Sequence, residues 1–311
     1  MKVLVTGAAG FIGSHLCREL HSLGYEIVGV DCYLRDSYDA RVKRLNASSL
    51  QALPNFRMVE ADIRSPLPGW VFDETSTIVN LAAMPGLTKS WQDFDLYSSC
   101  NLTGVDRLVR QALSRNINHF IQISTSSVYG ALARGSETDP LNPVSPYGVT
   151  KLAGEKLVAA YGFTHELPFT ILRYFSVYGP GQRPDMAYHI ICEKLLADEP
   201  ITVFGDGLQS RSNTHVLDVV QATVSAIRVG PSGEAMNICG GESITLLGAV
   251  EVLEQAMDRK ARLRFQPPRP GDQLHTHGDA SRASALLDFQ ANVSVEVGLR
   301  SQALWHMGAS A

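Results

Sequence analysis

The segment VLVTGAAGFIGSHL, residues 3–16, constrains the fold more than any other part of the chain. Gly7, Gly10 and Gly13 follow a short apolar run and open a helical pattern. Glycines at such a junction let the backbone turn tightly and let a pyrophosphate approach the positive N-terminus of a helix. The motif therefore predicts a strand–turn–helix unit that binds a dinucleotide, although a glycine-rich turn without a ligand is the alternative for the motif taken alone.

Similar apolar runs recur through the first half of the chain, separated by helical patterns. They are rich in Val, Ile and Leu with little alternation, as in parallel strands that are covered on both faces. They occupy residues 2–6, 26–30, 56–60, 77–81, 119–124 and 169–174. This alternation predicts an α/β fold with a doubly wound parallel sheet.

The regular pattern ends at about residue 180, after which turns surround shorter elements. Short strands are predicted at ITVF, MNIC and RLRF, with helices near 218–229, 245–258, 281–288 and 295–306. We expect a smaller C-terminal α/β lobe that interleaves with the first, with a domain boundary between residues 178 and 179 and later segments able to return to the first domain.

The composition excludes some partners. A net charge of −4 argues against nucleic acid and anionic membranes, which select concentrated basic surfaces. The five cysteines lack a C-x-x-C pair, and His15, His21, His275 and His277 lack metal-ligand spacing, so we expect neither disulfides nor a metal. A strand at the N-terminus and the lack of an apolar run of about 18–20 residues predict a cytoplasmic protein without a membrane partner.

Residues at the ends of the predicted strands complete the dinucleotide site. Asp31 ends the second strand, 18 positions after Gly13, where a carboxylate accepts hydrogen bonds from the adenosine ribose. The same charge repels a 2′-phosphate, which favours NAD over NADP. The other residues expected to contact NAD adjoin the glycines or follow the third and fourth strands: Phe11, Ile12, Asp62, Ile63, Leu81 and Ala82.

A tyrosine and a lysine lie one helical turn apart in YGVTK, residues 147–151. Upstream, ISTSSVYG brings Thr125 and Ser126 to the carboxyl edge of the sheet, where open α/β sheets bind ligands. The lysine ammonium and a positive nicotinamide would lower the pKa of Tyr147, making it a base near neutral pH, and Thr125 would bind the reacting oxygen. Helix caps and turns are the alternative roles of the single hydroxyl groups.

Together, TGAAGFIGSHL, STSSVYG, YGVTK and RYFSVYGP resemble the extended short-chain dehydrogenases/reductases that act on nucleotide-diphosphate sugars. The resemblance covers nearly the whole chain and implies a Rossmann-type NAD-binding domain over residues 1–178. It implies that residues 179–311 mainly bind the nucleotide sugar. It further implies that Tyr147, with Lys151 and Thr125, removes a proton from a sugar hydroxyl while tightly held NAD⁺, recycled at each turnover, oxidises the carbon.

The resemblance extends to the substrate. Arg211 and Arg269 match arginines that contact the diphosphate, and Asp272 matches a residue that contacts ribose. Two positions depart from the family: Asn213 replaces a common aromatic residue, and Ser176 replaces a common asparagine. The second departure weakens the expectation of a neutral hexose.

The reaction type depends on the two residues after Thr125. Dehydratases of this family carry Asp-Glu there, and this chain has Ser126 and Ser127, which favours simple hydride removal and return. QRPDMA resembles UDP-glucuronate 4-epimerases. The 6-carboxylate would contact Arg183, with Ser127 and Ser176 as hydroxyl donors. Pairing of Arg183 with Asp185 is the alternative.

We therefore expect an NAD-dependent epimerase that inverts C4 of UDP-glucuronate, giving UDP-galacturonate through a 4-keto intermediate. A decarboxylase of the UDP-xylose type, a neutral UDP-hexose 4-epimerase and a non-catalytic dinucleotide-binding sensor or scaffold remain alternatives, and the nucleotide base stays open. The family also implies a homodimer that forms through the helices near 101–115 and 147–161.

Overall fold

The computed structural model describes residues 1–34, 38–115, 117–240, 242–268 and 275–308. Its strands, numbered along the chain, are β1 Lys2–Thr6, β2 Glu26–Asp31, β3 Phe56–Glu60, β4 Thr75–Asn80, β5 His119–Thr125, β6 Leu132–Gly135, β7 Phe169–Tyr174, β8 Val177–Tyr178, β9 Ile201–Phe204, β10 Ser210–Ser212, β11 Thr214–His215, β12 Glu234–Ile238, β13 Ser243–Thr245, β14 Leu263–Gln266 and β15 His275–Gly278.

The helices of the same residues are α1 Phe11–Ser22, α2 Ala40–Gln51, α3 Leu87–Ser90, α4 Phe94–Ser98, α5 Gly104–Leu113, α6 Pro146–His165, α7 Ala187–Leu196, α8 Val216–Val229, α9 Leu246–Met257, α10 Ser281–Leu287 and α11 Val295–His306. A π-helical turn, Ser99–Thr103, joins α4 to α5. Among these described residues, none of the helices combines the length and the apolarity that crossing a membrane requires.

The central sheet has seven parallel strands in the order β12-β7-β5-β4-β1-β2-β3. Both faces are covered, which explains the near-continuous apolar strands. Val3 and Val5 of β1 pack with α1, α8 and α10, whereas Leu4 packs with α5 and α6 on the opposite face. The Rossmann-type doubly wound fold predicted from the sequence is confirmed.

The strand order reverses at β1. From β1 the chain runs outward through β2 and β3, and it then returns to β4 on the other side of β1 before continuing through β5, β7 and β12. A crevice opens where neighbouring strands lead in opposite directions, beyond their carboxyl ends.

The smaller lobe surrounds α7, α9 and α11, whose buried faces share one apolar cluster with Ile201 of β9. One predicted short strand belongs elsewhere. The segment MNIC contributes to β12, which pairs with β7 at the edge of the main sheet, and Met236 and Ile238 are buried in the main core. The C-terminal half therefore returns to the first body through α8, β12 and α10.

Candidate active site

A cleft of about 570 Å³ lies beyond the carboxyl ends of the main-sheet strands. Every described residue that the sequence predicted for the site lines this cleft. These residues are Gly7, Gly10, Phe11, Ile12, Gly13, Asp31, Asp62, Ile63, Leu81, Ala82, Thr125, Ser126, Ser127, Tyr147, Lys151, Ser176, Arg183 and Arg211. The two remaining predicted residues, Arg269 and Asp272, lie outside the described residues.

The glycine turn at the start of α1 leaves no room for side chains. Gly7 has a φ of 70°, and a Cβ atom there would lie 2.9 Å from the backbone of Leu81 and Ala82. A Cβ atom on Gly13 would lie 2.2 Å from the carbonyl oxygen of Gly7. These contacts bring bare backbone and the N-terminus of α1 to the wall of the cleft, as a pyrophosphate requires.

Asp31 lies at the next position along the cleft, at the end of β2. Its carboxylate accepts hydrogen bonds from the backbone N–H of Ala9, at 3.2 Å, and of Tyr33, at 2.8 Å. Burial raises the pKa of Asp31, and Lys43 together with these N–H groups opposes the rise. Lys43 also lines the cleft, which the sequence analysis did not anticipate because a lysine within a polar helix carries no local signal.

Asp62 follows β3 and pairs with Arg64. The Arg64 side chain donates to Asp62 Oδ2 from Nη2 at 2.7 Å and its backbone N–H donates to Oδ1 at 2.8 Å. Burial works against the charged form of Asp62, but the hydrogen bonds from Arg64 outweigh it and lower the pKa. The pair therefore keeps a carboxylate ionised beside Ile63 in the cleft.

The predicted catalytic group is assembled by β5 and α6. The Thr125 side chain is a hydrogen-bond partner of Tyr147 and accepts from the backbone N–H of Ser127 at 3.2 Å. The Lys151 Nζ donates to the carbonyl oxygen of Ile123 at 2.6 Å, which fixes the ammonium beneath the end of β5. Ser145 caps α6 by accepting from the N–H of Gly148, so the helix start that carries the tyrosine is well defined.

The electrostatics of Tyr147 differ from expectation in one respect. Burial raises the pKa of Tyr147, while the hydrogen bond with Thr125 and the positive charge of Arg183 oppose the rise. Burial also lowers the pKa of Lys151 to about 8. The protein groups alone therefore do not produce the lowered tyrosine pKa expected from the sequence. Among them, the positive charge that opposes the rise is that of Arg183 and not that of Lys151.

A buried asparagine links the two walls of the cleft. Asn101, in the π-helical turn, accepts from the Met84 N–H at 2.7 Å and donates to the Thr150 hydroxyl at 3.0 Å. Tyr97 packs edge-on against Tyr147, with ring centroids 6.2 Å apart, and donates to the Pro85 carbonyl oxygen. Sequence reasoning missed these groups because their partners are distant in the chain.

Arg183 lies in a firmly held loop. The Gln182 side chain donates to the Val177 carbonyl oxygen at 3.2 Å and accepts from Gln302 at 2.8 Å. Arg183 itself makes a two-pronged contact with Asp185, through Nε at 2.9 Å and Nη2 at 2.8 Å. The guanidinium thus lines the cleft and also pairs with Asp185, which was the alternative to a sugar contact for this arginine.

Ser176 and Arg211 connect this cleft to a second cavity of about 770 Å³. Ser176 has a φ of 25°, an uncommon value for a residue with a side chain, at the point where β7 leads into β8. The second cavity continues between Tyr188, Phe204 and Gln266 in the smaller lobe. The sequence did not predict this second cavity, since its walls come from separate short elements.

The fold and the site define the class: a dinucleotide-binding α/β enzyme with a threonine, a tyrosine and a lysine in the cleft beyond the carboxyl ends of its strands. The sequence profile of the NAD dependent epimerase/dehydratase family matches residues 3–239. The chain belongs to this family and uses NAD.

Individual relatives agree with this class. An uncharacterized UDP-glucose epimerase from Bacillus subtilis is 38% identical over 97% of this chain and 96% of its own. A UDP-glucuronate 4-epimerase from Thermodesulfobacterium geofontis is 32% identical over 97% of this chain and 95% of its own. The crystal structure of a Bacillus cereus UDP-glucuronic acid 4-epimerase, in complex with UDP-glucuronic acid and NAD, is 39% identical, with a TM-score of 0.95 over 99% of both chains.

Proposed function

We propose that the protein is an NAD-dependent epimerase that inverts C4 of UDP-glucuronate to give UDP-galacturonate. The observation that carries this proposal is the position of Arg183: it lines the same cleft as Tyr147 and is close enough to affect the pKa of the tyrosine. A fixed cation beside the general base suits a sugar with a carboxylate near the reacting carbon. The likeness to the Bacillus cereus enzyme supports the same substrate.

The glycine turn, the N-terminus of α1 and Asp31 hold the cofactor. Without Cβ atoms, Gly7 packs against the backbone of Leu81 and Ala82, and Gly13 packs against the backbone of Gly7. The turn therefore presents bare backbone to a pyrophosphate, and Asp31 accepts from ribose hydroxyls. Bound NAD⁺ would supply the removal and return of hydride at the sugar carbon. The positive charge of its nicotinamide would add to that of Arg183 in lowering the pKa of Tyr147.

Tyr147 is the general base that removes the proton of the C4 hydroxyl and later returns it. Thr125 donates a hydrogen bond to the reacting oxygen. The Lys151 ammonium, held by the Ile123 carbonyl oxygen, places a positive charge in the same cleft. No carboxyl group occupies the two positions after Thr125, where Ser126 and Ser127 lie, so the dehydration chemistry of other family members lacks its acid and base.

Arg183 can hold the sugar carboxylate without releasing Asp185. A guanidinium carries five N–H donors, and Asp185 uses one on Nε and one on Nη2. The edge formed by Nη1 and Nη2 stays available for a second two-pronged contact, with Ser127 and Ser176 as hydroxyl donors from the same cleft. Asp185 then serves to orient the guanidinium.

This clamp protects the intermediate. Oxidation of glucuronate at C4 makes a β-keto acid, which loses CO₂ readily when the bond to its carboxylate is perpendicular to the ketone plane. By fixing the carboxylate away from that alignment, Arg183 preserves the acid until C4 is reduced on its opposite face. Arg211, together with Arg269 and Asp272, holds the diphosphate and ribose, and the second cavity accommodates the nucleotide.

Product analysis tests the proposal. Incubation of the enzyme with UDP-glucuronate, without added reductant or free NAD, should give UDP-galacturonate by NMR and no CO₂. Release of CO₂ with a UDP-pentose would favour the decarboxylase, and turnover of UDP-glucose alone would favour the neutral-sugar epimerase. Absence of any product, with NAD bound, would favour a sensor or scaffold.

We also assign residues 1–178, with the returning α8, β12 and α10, to NAD binding and most of residues 179–311 to the nucleotide sugar. A homodimer through α5 and α6 is supported by exposed apolar side chains on α6, where Phe163 is 74% exposed. A cytoplasmic location is supported by five unpaired cysteines. Light scattering after gel filtration should give twice the chain mass.

A further inference from the structure

A second cluster of chemically capable side chains lies in the smaller lobe, away from the cleft. His189 and Glu193 are one turn apart on α7, and His306 ends α11. One ligand atom from each of these residues lies within 4.8 Å of the others. His189 and His306 are close, with ring centroids 4.4 Å apart.

The hydrogen bonds prepare His189 for a metal. Its Nδ1 lies 2.7 Å from the carbonyl oxygen of Gln182, so Nδ1 carries the proton and Nε2 keeps its lone pair. A histidine held by a backbone carbonyl through one nitrogen, and free at the other, is the usual arrangement of a metal ligand.

His306 faces the cluster through one ring nitrogen. Its side chain is only 1% exposed, and its Nδ1 lies 2.9 Å from Glu193 Oε1. A cation that replaces the proton between these two atoms is bound by both, and the ring proton of His306 then lies on Nε2.

We propose that His189, Glu193 and His306 bind one Zn²⁺ ion, with water completing a tetrahedral site. Two imidazoles and one carboxylate favour Zn²⁺ over Mg²⁺ or Ca²⁺, which prefer oxygen ligands. Tetrahedral ligands at about 2.0–2.1 Å from zinc lie about 3.4 Å apart, so small side-chain rotations close the observed cluster.

The ion joins the start of α7 to the end of α11. Because α7 directly follows the Arg183 loop, and Gln182 of that loop contacts both His189 and Gln302 of α11, the metal stabilises the frame that holds the loop. The sequence did not indicate this site, because Glu193 and His306 are 113 positions apart.

Untagged enzyme, freed of metal by a chelator that is then removed, should bind ZnCl₂ with 1:1 stoichiometry against a chromophoric indicator. At a hundredfold excess over the dissociation constant, Zn²⁺ should raise the Tm by about 5 °C. Co²⁺ should give the intense visible bands of a tetrahedral site and quench Trp305, whose ring centroid is 4.8 Å from that of His306.

Glu193→Gln and His189→Gln should each weaken zinc binding at least about tenfold. Neither side chain lines the cleft, and Glu193 is exposed, so folding and NAD content should be preserved. His165→Gln, an exposed histidine on α6, is the matched control and should bind zinc as the wild type does. Undiminished zinc binding in the double variant of His189 and Glu193, or no 1:1 binding by the wild type, would overturn the proposal.

Discussion

Replacing Arg183 by glutamine tests the origin of substrate choice. The variant keeps a polar, shorter side chain and loses the charge. We expect kcat/KM for UDP-glucuronate to fall far more than kcat/KM for UDP-glucose, because only the acidic sugar carries the group that the guanidinium binds.

The magnitude follows from the setting of the guanidinium. The Arg183 side chain is only 20% exposed, so solvent screens its contacts weakly. A hydrogen bond to a charged group contributes about 1.5–3 kcal/mol, which predicts a selective loss of about 10- to 150-fold. Removal of Arg183 also raises the pKa of Tyr147, but this change affects both sugars and cancels in their ratio.

A second variant separates lost attraction from new repulsion. In Arg183→Gln the Asp185 carboxylate loses its partner and repels the sugar acid. The double variant with Asp185→Asn removes that repulsion and should recover part of the loss for UDP-glucuronate alone. Steady-state kinetics with both sugars give the ratio, and Arg300→Gln, which breaks an exposed pair with Glu296, is the control. Equal losses for the two sugars would refute the carboxylate contact.

Other changes address the cofactor and the catalytic group. Tyr147→Phe should lower kcat about 100- to 10,000-fold while NAD stays bound, and unchanged turnover would exclude a tyrosine base. Gly13→Ala should abolish co-purification of NAD because its Cβ would lie 2.2 Å from the Gly7 oxygen, whereas Gly10→Ala, at 3.1 Å, should lose less; absorbance of released NAD measures both. Lys151→Met removes an ammonium whose pKa falls from 10.5 to about 8 on burial. Below about pH 8 the lysine is protonated in both the folded and the unfolded chain, and between about pH 8 and 10.5 it is protonated only in the unfolded chain. In that pH range the free energy of unfolding of the wild type should therefore rise, relative to the variant, by about 1.4 kcal/mol per pH unit. Denaturant titrations at several pH values measure this slope, and a constant difference would contradict it.

Local signals in the sequence predicted the fold and the residues that line the cleft. The apolar runs located β1 to β5 and β7, and the residues just after them, such as Asp31 and Thr125, had to meet because parallel strands end at one edge. The glycine spacing required backbone contact at Gly7. These inferences depend on neighbours within a few positions, which is why a single sequence sufficed.

Tertiary structure decided the contacts between distant segments. The sequence expected the segment MNIC in the smaller lobe, but its strand completes the main sheet beside β7. It also did not foresee Asn101 bridging Met84 and Thr150. Nor did it indicate that His189 and His306 meet.

Arg183 illustrates the division between the two kinds of information. The sequence alone determined that an arginine follows the VYGP turn and has a carboxylate two positions later. Only the folded chain decided that this pair lies in the cleft with Tyr147, through Gln182 and Gln302. The physical reason is that the type of a side chain and the periodicity of a strand are properties of neighbouring residues. The burial of a side chain and its distance from other charges depend on how segments remote in the sequence pack together.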